Sequence, residues 1–394
     1  MCERETTTVA VVCCSEQNTA SFLCKMSPRD YIQARESGVI SCIIDNKPYL
    51  PQLKVNVSNQ ASIVSAAAAI LDLDLGSAPN VERIPLGLTN LLFRVSSETC
   101  TCLVRIFGAE GMIDRDIENS LFAALSRQGI ATTYYGRFAN GRVEGWLNMR
   151  PLAIHELPLY AKPIAASLGT MHAAFIPPDW HCHDKIHSQP ALWTQVQQWM
   201  EQALLATFSQ TNDEADKVAT LHLEDLPAQL HWLQHYVVPT NASIAFCHND
   251  LLAANIMRSD NDTDDDHDSK TIQLIDFEYG SVNFVAYDIA NHFNEYAGGT
   301  DNGVPQYDML PTEDQQKEFI AEYMSKRPTS GDLYSEVQAF LLVNHLYWGL
   351  WAVNQAATEG CDQFDYLLYA QNRIGQYRKS KNQMTCSSIT RSKS

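Results

Sequence analysis

Four side chains set at fixed intervals between Phe246 and Tyr279 could together move a phosphoryl group. The stretch reads F-C-H-N-D-L-L-A-A-N-I-M, then an Asp-rich interruption, then I-Q-L-I-D-F-E-Y. His248, Asp250 and Asn255 precede the interruption and Asp276 follows it. Phosphoryl transfer asks for a carboxylate that receives or orients the acceptor hydroxyl. It also asks for an amide oxygen and a second carboxylate to hold Mg2+ against the phosphates. Asp and Asn also cap turns, but capping demands no fixed spacing among four residues, so the chemical reading is preferred.

Other residues fit the same chemistry. In G-L-T-N, Gly87, Thr89 and Asn90 could lay backbone N–H groups over the phosphates of ATP, although one glycine makes a poor signal by itself. Arg105, in an apolar run, resembles the basic residue that kinase-like folds set against the phosphates, and Glu118, from the helix that follows, is the acid expected to pair with it. Trp146, Leu147 and Asn148 follow a hairpin. In a bilobal kinase the strand after such a hairpin feeds the hinge beside the adenine, and that resemblance would put these three residues near the base. Trp348 and Trp351 stand at i and i+3, which puts both indoles on one helical face. With Glu295 as counter-charge and Tyr296 beside it, they could form a cage for an ammonium group.

These residues need a frame. The Ala-rich run from Ser62 to Leu73 predicts a helix opened by a Ser cap. From Val81 to Gly108, two apolar runs around S-S-E-T predict a hairpin, and Asn140-Gly141 predicts a second. Helices are expected over Leu159 to Phe175, with His172 as a satisfied packing residue, then Ala191 to Phe208 and Leu226 to Val237. The fold class is α/β (α+β), with a small antiparallel-sheet lobe over 61–150 and a larger, mostly helical lobe over 151–378. Residues 1–60 form an extension without an assigned role, and 379–394 a flexible, basic, Ser-rich tail.

Hydrophobic residues make up 45% of the 394 and charged residues 19%, an ordinary globular composition. A formal charge of −18 argues against nucleic acid and anionic membrane surfaces, which reward Lys and Arg clusters, and suits a small cationic substrate. No run approaches the roughly 18 apolar residues of a membrane span, and the N-terminus makes a poor signal peptide, so a cytoplasmic protein is expected. Eleven scattered cysteines suit reduced thiols, Cys13-Cys14 and Cys100-x-Cys102 included. His181-Cys182-His183-Asp184 lies in a Pro- and Trp-rich connector and does not follow zinc spacing. The Asp-rich 259–270 segment fails the calcium-loop template, with Asp265 where the turn glycine belongs and Thr271 at the closing acid.

F-C-H-N-D-L-L-A-A-N-I (246–256), L-I-D-F-E-Y (274–279), A-Y-D-I-A-N-H-F-N-E (286–295) and H-L-Y-W-G-L-W (345–351) closely resemble the choline/ethanolamine kinase family, in the family's order and over about residues 60–378. G-L-T-N-L-L, D-R-D at 114–116, H-N-D-L-L and H-F-N-E-Y-A-G resemble its ethanolamine kinases more, while choline stays open as a substrate. Ala253-Ala254 and Ala290 depart from the residues usual in relatives, at positions that touch no catalytic group. The resemblance implies a bilobal protein-kinase-like fold with ATP in the cleft. It implies that Asp250 orients the substrate hydroxyl, that Asn255 and Asp276 hold Mg2+, that Arg105 contacts phosphates, and that Glu295, Trp348 and Trp351 line the amino-alcohol pocket. The product would be phosphoethanolamine, the first intermediate of the cytidine-diphosphate route to phosphatidylethanolamine, and a homodimer is compatible with it. Three rival readings are an aminoglycoside-type phosphotransferase, a binding module on an inactive kinase scaffold, and a metal sensor.

Overall fold

The computed structural model describes residues 43–44, 47–84, 90–108, 115–174, 190–208, 212–259 and 270–391. The strands are β1 (Ile43–Ile44), β2 (Lys47–Leu50), β3 (Asn80–Ile84), β4 (Asn90–Ser96), β5 (Thr101–Phe107), β6 (Tyr134–Phe138), β7 (Gly141–Gly145), β8 (Met149–Pro151), β9 (Ile244–Cys247), β10 (Ile256–Ser259), β11 (Ile272–Leu274) and β12 (Ser281–Phe284). The helices are α1 (Gln60–Leu71), α2 (Arg115–Arg127), α3 (Ala161–Ala173), α4 (Ala191–Leu205), α5 (Asn212–Leu221), α6 (Leu226–Trp232), α7 (Val285–Glu295), α8 (Glu313–Lys326), α9 (Leu333–Glu359) and α10 (Tyr366–Arg391).

A seven-stranded sheet, ordered β1-β2-β6-β7-β5-β4-β3, builds the small lobe. Its two predicted hairpins, β4–β5 and β6–β7, pair as expected. Asn140, in the second turn, ties its side chain to both the N–H and the C=O of Val55, at 2.9 and 3.0 Å. Two expectations need correction. β2 pairs in parallel with β6, while the other described pairs of this sheet are antiparallel as expected, and Val55 belongs to this lobe's core, so residues 47–59 are part of the lobe rather than an extension. The first helix is capped by the side chain of Asn59, which accepts from the Ala61 N–H, so it opens before Ser62.

The larger lobe is mostly helical. α7 is buried along its whole length, its polar residues Asp288, Asn291, His292, Asn294 and Glu295 included, and α9 along most of its own. Leu121, Phe122 and Leu125 of α2 join this larger core, so α2 is held from below as well as by its own lobe. Two small sheets lie at the junction, β11-β10-β8 and β12-β9. The segment carrying Asp250 and Asn255 runs from β9 to β10, and the turn carrying Asp276 runs from β11 to β12. Both chain ends at each turn are thereby fixed by strand pairing.

The tail expected to be flexible continues α10 to Arg391, with Lys381 Nζ 4.1 Å from the Trp232 ring. Cys100, Cys102, Cys247 and Cys361 are free thiols. No described helix is long and apolar enough to cross a membrane. The His181 cluster, the acidic 260–269 segment, Gly87 and Thr89 lie outside the described residues.

Candidate active site

Asp288 of α7 organises the first turn of the site. Its carboxylate accepts the backbone N–H groups of His248 and Asn249, each at 2.7 Å, and meets His172 Nε2 at 2.9 Å. His172 Nδ1 lies 2.9 Å from the Tyr323 hydroxyl of α8. That reach depends on Gly169 of α3, where a Cβ would press within 2.9 Å of the Tyr323 carbonyl. His172 is thus the satisfied histidine expected from the sequence. Burial alone would push Asp288 up, but His172 and the two N–H groups outweigh it and hold the carboxyl below its usual range. Cys247 lies close to His172 and Asp288, yet burial keeps its thiol protonated, and the His172–Asp288 hydrogen bond already uses the ligand atoms a metal would need.

Held this way, Asn249 adopts a left-handed φ of 66° and aims the next residue, Asp250, into the junction. Its amide donates to the Tyr279 carbonyl and the Ser281 hydroxyl, each at 2.9 Å, and accepts from Asn283 at 2.7 Å. Asp276 is also left-handed, φ 62°, in the turn whose Ile275 carbonyl meets His248 Nε2 at 2.8 Å. Left-handed non-glycine residues cost about 1 kcal/mol or more and persist only where their surroundings impose them. Asn255 Nδ2 donates to the Asp250 carbonyl at 2.8 Å and to its carboxylate at 3.3 Å, which leaves the Asn255 oxygen as the group a cation could use.

Asp250, Asn255 and Asp276 therefore share one place. Burial pushes the Asp250 carboxyl well above its usual range, and the charges of Glu295, Glu278 and Asp276 push it further. The charges of four acids converge here, with Arg105 on Asp276 and Arg373 on Glu295 offsetting part of them. The oxygen donors Asp276 and Asn255, next to Asp250, are the hard ligand set that suits Mg2+.

On the small-lobe side, Arg105 and Arg142 face each other across β5 and β7 as register partners. Arg105 Nε donates to Glu144 at 2.7 Å, and its Nη1 reaches Asp276 at 3.3 Å. Arg142 donates to Glu144 at 2.6 Å and to Glu118 at 2.7 Å, while Arg115 also holds Glu118 at 2.7 Å. The predicted Arg105–Glu118 pair is therefore corrected. Two residues along β7 from Arg142, Glu144 lies on the same face as both arginines and takes the acid's place, while Glu118 answers Arg142. Burial opposes ionisation of Glu118, yet Arg142 and Arg115 hold its pKa at about 2. Glu144→Leu would leave two buried guanidinium groups short of a counter-ion. We expect it to lower stability by about 3–5 kcal/mol, read as a lower urea midpoint at unchanged slope.

On the other side, α7, α9 and α10 bring an acid and a set of rings together. The Trp348 ring stands edge-on to Trp351 and to Tyr279, each at 5.5 Å, and Trp351 to Tyr366 at 5.6 Å. Burial pushes up the phenols of Tyr279, Tyr347 and Tyr369, and the Asp250 charge adds to each. Glu295 is raised by burial and drawn back by Arg373, whose Nη1 is 3.4 Å away. Tyr296 is corrected. One residue on along α7 turns it about 100° away, where its hydroxyl reaches the Leu157 carbonyl at 3.4 Å and its ring meets His292 at 5.3 Å.

Asn90 Nδ2 lies 3.4 Å from Glu278, which joins the expected nucleotide loop to the D-F-E turn. Trp146, Leu147 and Asn148 connect β7 of one lobe to β8 beneath the other, with Trp146 Nε1 donating to Asn148 at 2.9 Å. The sequence reading gave no role to Asp288, Glu144, Arg142, Glu278 or Arg373. Asp288 and Glu278 do stand inside motifs it singled out, two of the few acids in otherwise apolar runs.

A two-lobed fold with this acid, amide and acid at the junction defines a kinase-like phosphotransferase. The model of the family described as "Choline/ethanolamine kinase" matches residues 81–378, and the chain belongs to that family. It is 33% identical over 320 residues to a "Probable ethanolamine kinase" of Arabidopsis thaliana, covering 77% of this chain and 79% of that protein. It is 29% identical over 333 residues to the Homo sapiens "Choline/ethanolamine kinase", covering 76% and 79%. Among solved structures, the Plasmodium vivax ethanolamine kinase superposes with a TM-score of 0.67 at 22% identity, over 90% of this chain and 94% of that one. Choline kinase from Cryptosporidium parvum gives 0.63 at 25% identity, over 79% and 91%. The protein is an ATP-dependent kinase with a small-molecule alcohol as acceptor.

Proposed function

We propose that this protein is an ethanolamine kinase that transfers the γ-phosphoryl group of ATP to the ethanolamine hydroxyl and so makes phosphoethanolamine for phosphatidylethanolamine synthesis. The carrying observation is the convergence of the Asp250, Glu278 and Glu295 charges on a buried space walled by Tyr279 and Trp348. A primary ammonium brings three N–H donors, which carboxylates can accept; a trimethylammonium brings none and offers those carboxylates its charge alone. The aromatic faces attract either cation, so they do not discriminate.

In this reading Asp250 orients the hydroxyl for in-line attack and takes its proton. Asn255 and Asp276 hold Mg2+, which when bound neutralises charge on the phosphates. Arg105, kept on Asp276 and Glu144 in this structure, turns toward the phosphates; Gly87, Thr89 and Asn90 cover them, while Trp146 to Asn148 flank the base. Residues 47–150 form the nucleotide lobe and 151–378 the acceptor lobe. Trp348, Trp351 and Glu295 line the acceptor pocket.

The test compares kcat/KM for ethanolamine and choline on purified protein. Ethanolamine is expected to lead by about tenfold or more, since a site built on hydrogen bonds rejects a ligand that cannot make them. A lead for choline would make the protein a choline kinase.

A further inference from the structure

Trp348 on α9 and Glu295 on α7 are the two ends of one unbroken run of buried hydrogen bonds. Trp348 Nε1 donates to Asn291 Oδ1 at 2.7 Å, and the same oxygen accepts Asn344 Nδ2 at 2.8 Å. Asn344 Oδ1 accepts Arg373 Nη2 at 2.6 Å, and Arg373 Nη1 reaches Glu295 Oε1 at 3.4 Å. Asn291, Asn344 and Arg373 are fully buried. An indole N–H and a guanidinium only donate, so each amide has one permitted orientation. Asn291 must turn its oxygen to the indole and Asn344 its oxygen to the guanidinium. The Asn344 NH2 then faces the Asn291 oxygen, as observed, and flipping Asn344 would break two bonds at once. Asn294 Nδ2 on Asn344, at 2.9 Å, and the Tyr369 hydroxyl, 3.2 Å from Arg373, brace the run from the side.

We propose that Asn291, Asn344 and Arg373 are positioning residues that lock the aromatic wall of the acceptor pocket to its acidic wall. The rotation of the Trp348 ring and the placement of the Glu295 carboxylate are then set together, before any ligand arrives. Walls ordered in advance need no ordering on binding, so the run acts on acceptor affinity and leaves nucleotide binding untouched. This rests on the reading of the acceptor pocket given above.

Asn291→Leu removes the oxygen shared by Trp348 and Asn344, whereas Asn291→Asp keeps it. The Leu variant is expected to raise KM for ethanolamine about tenfold, with KM for ATP unchanged, and the Asp variant to stay near wild type. Arg373→Lys keeps the charge but loses the fork that spans Glu295 and Asn344, and should raise the same KM. A parallel rise in both KM values, or no rise in either folded variant, would overturn the proposal. A second readout needs no turnover: hydrogen exchange at the Trp348 indole N–H, identified in NMR spectra by its loss in Trp348→Phe. Arg373→Lys should speed that exchange although two amides separate it from Trp348; unchanged exchange overturns the coupling even where ethanolamine is a good substrate. If the wild type phosphorylated no amino alcohol while the exchange still responded, the pocket reading would fail and the coupling of the two walls would hold.

Discussion

Asp250→Asn is expected to lower kcat by about 10²- to 10⁴-fold, the contribution of a positioned base, with KM for ATP little changed. The same variant should be at least as stable as the wild type. In the folded protein the Asp250 carboxyl is pushed up by burial and by Glu295, Glu278 and Asp276, while in the unfolded chain it ionises at its ordinary value. As pH rises through the folded value, the native state must ionise a group that its surroundings disfavour, and stability is lost. An amide removes that cost. Urea unfolding at pH 7 to 8, without magnesium or nucleotide, should give Asp250→Asn a midpoint equal to or above that of the wild type. A large loss of stability would make Asp250 a structural residue.

Asp288, fully buried, behaves in the opposite way. Asp288→Ala strands the His172 N–H and the backbone N–H groups of His248 and Asn249. Unsatisfied buried donors cost about 1–3 kcal/mol each and loss of a buried charged partner about 3–5, so a loss of at least 3 kcal/mol is expected, together with most of the activity. Its folded pKa is held down, so its stabilisation is present above the ordinary carboxylate value and is lost only as pH falls through the folded one. The stability gap between wild type and Asp288→Ala should therefore stay constant from pH 8 to about 5 and close only below about 4. A gap that closed between pH 8 and 6 would contradict the assignment. Asp250, pushed up by burial and by other acids, and Asp288, fully buried and held down by donors, divide the work between reacting group and scaffold.

Asp250, Asn255 and Asp276 were legible because their spacing lies within one loop and one turn, whose geometry local sequence sets. The two hairpins and the main helices were legible for the same reason. Asp288 was not, since it acts on backbone N–H groups about forty residues away, a relation that exists only once α7 packs under the loop. The choice of Glu144 over Glu118 depends on the β5–β7 register, which pairs Arg105 with Arg142. Tyr296 failed because adjacent helical residues face about 100° apart, so nearness to Glu295 in sequence carries no information on facing. Residues 47–59 were read as extension because β2 is only four residues long and finds its partner in β6, far along the chain.

The most direct measurement is 31P NMR of the purified protein with ATP, magnesium and ethanolamine, run beside Asp250→Asn. A phosphoethanolamine resonance should grow as the γ-phosphate signal of ATP declines, and should be nearly absent with the variant. Loss of ATP without phosphoethanolamine, or equal product from both proteins, would contradict the site described.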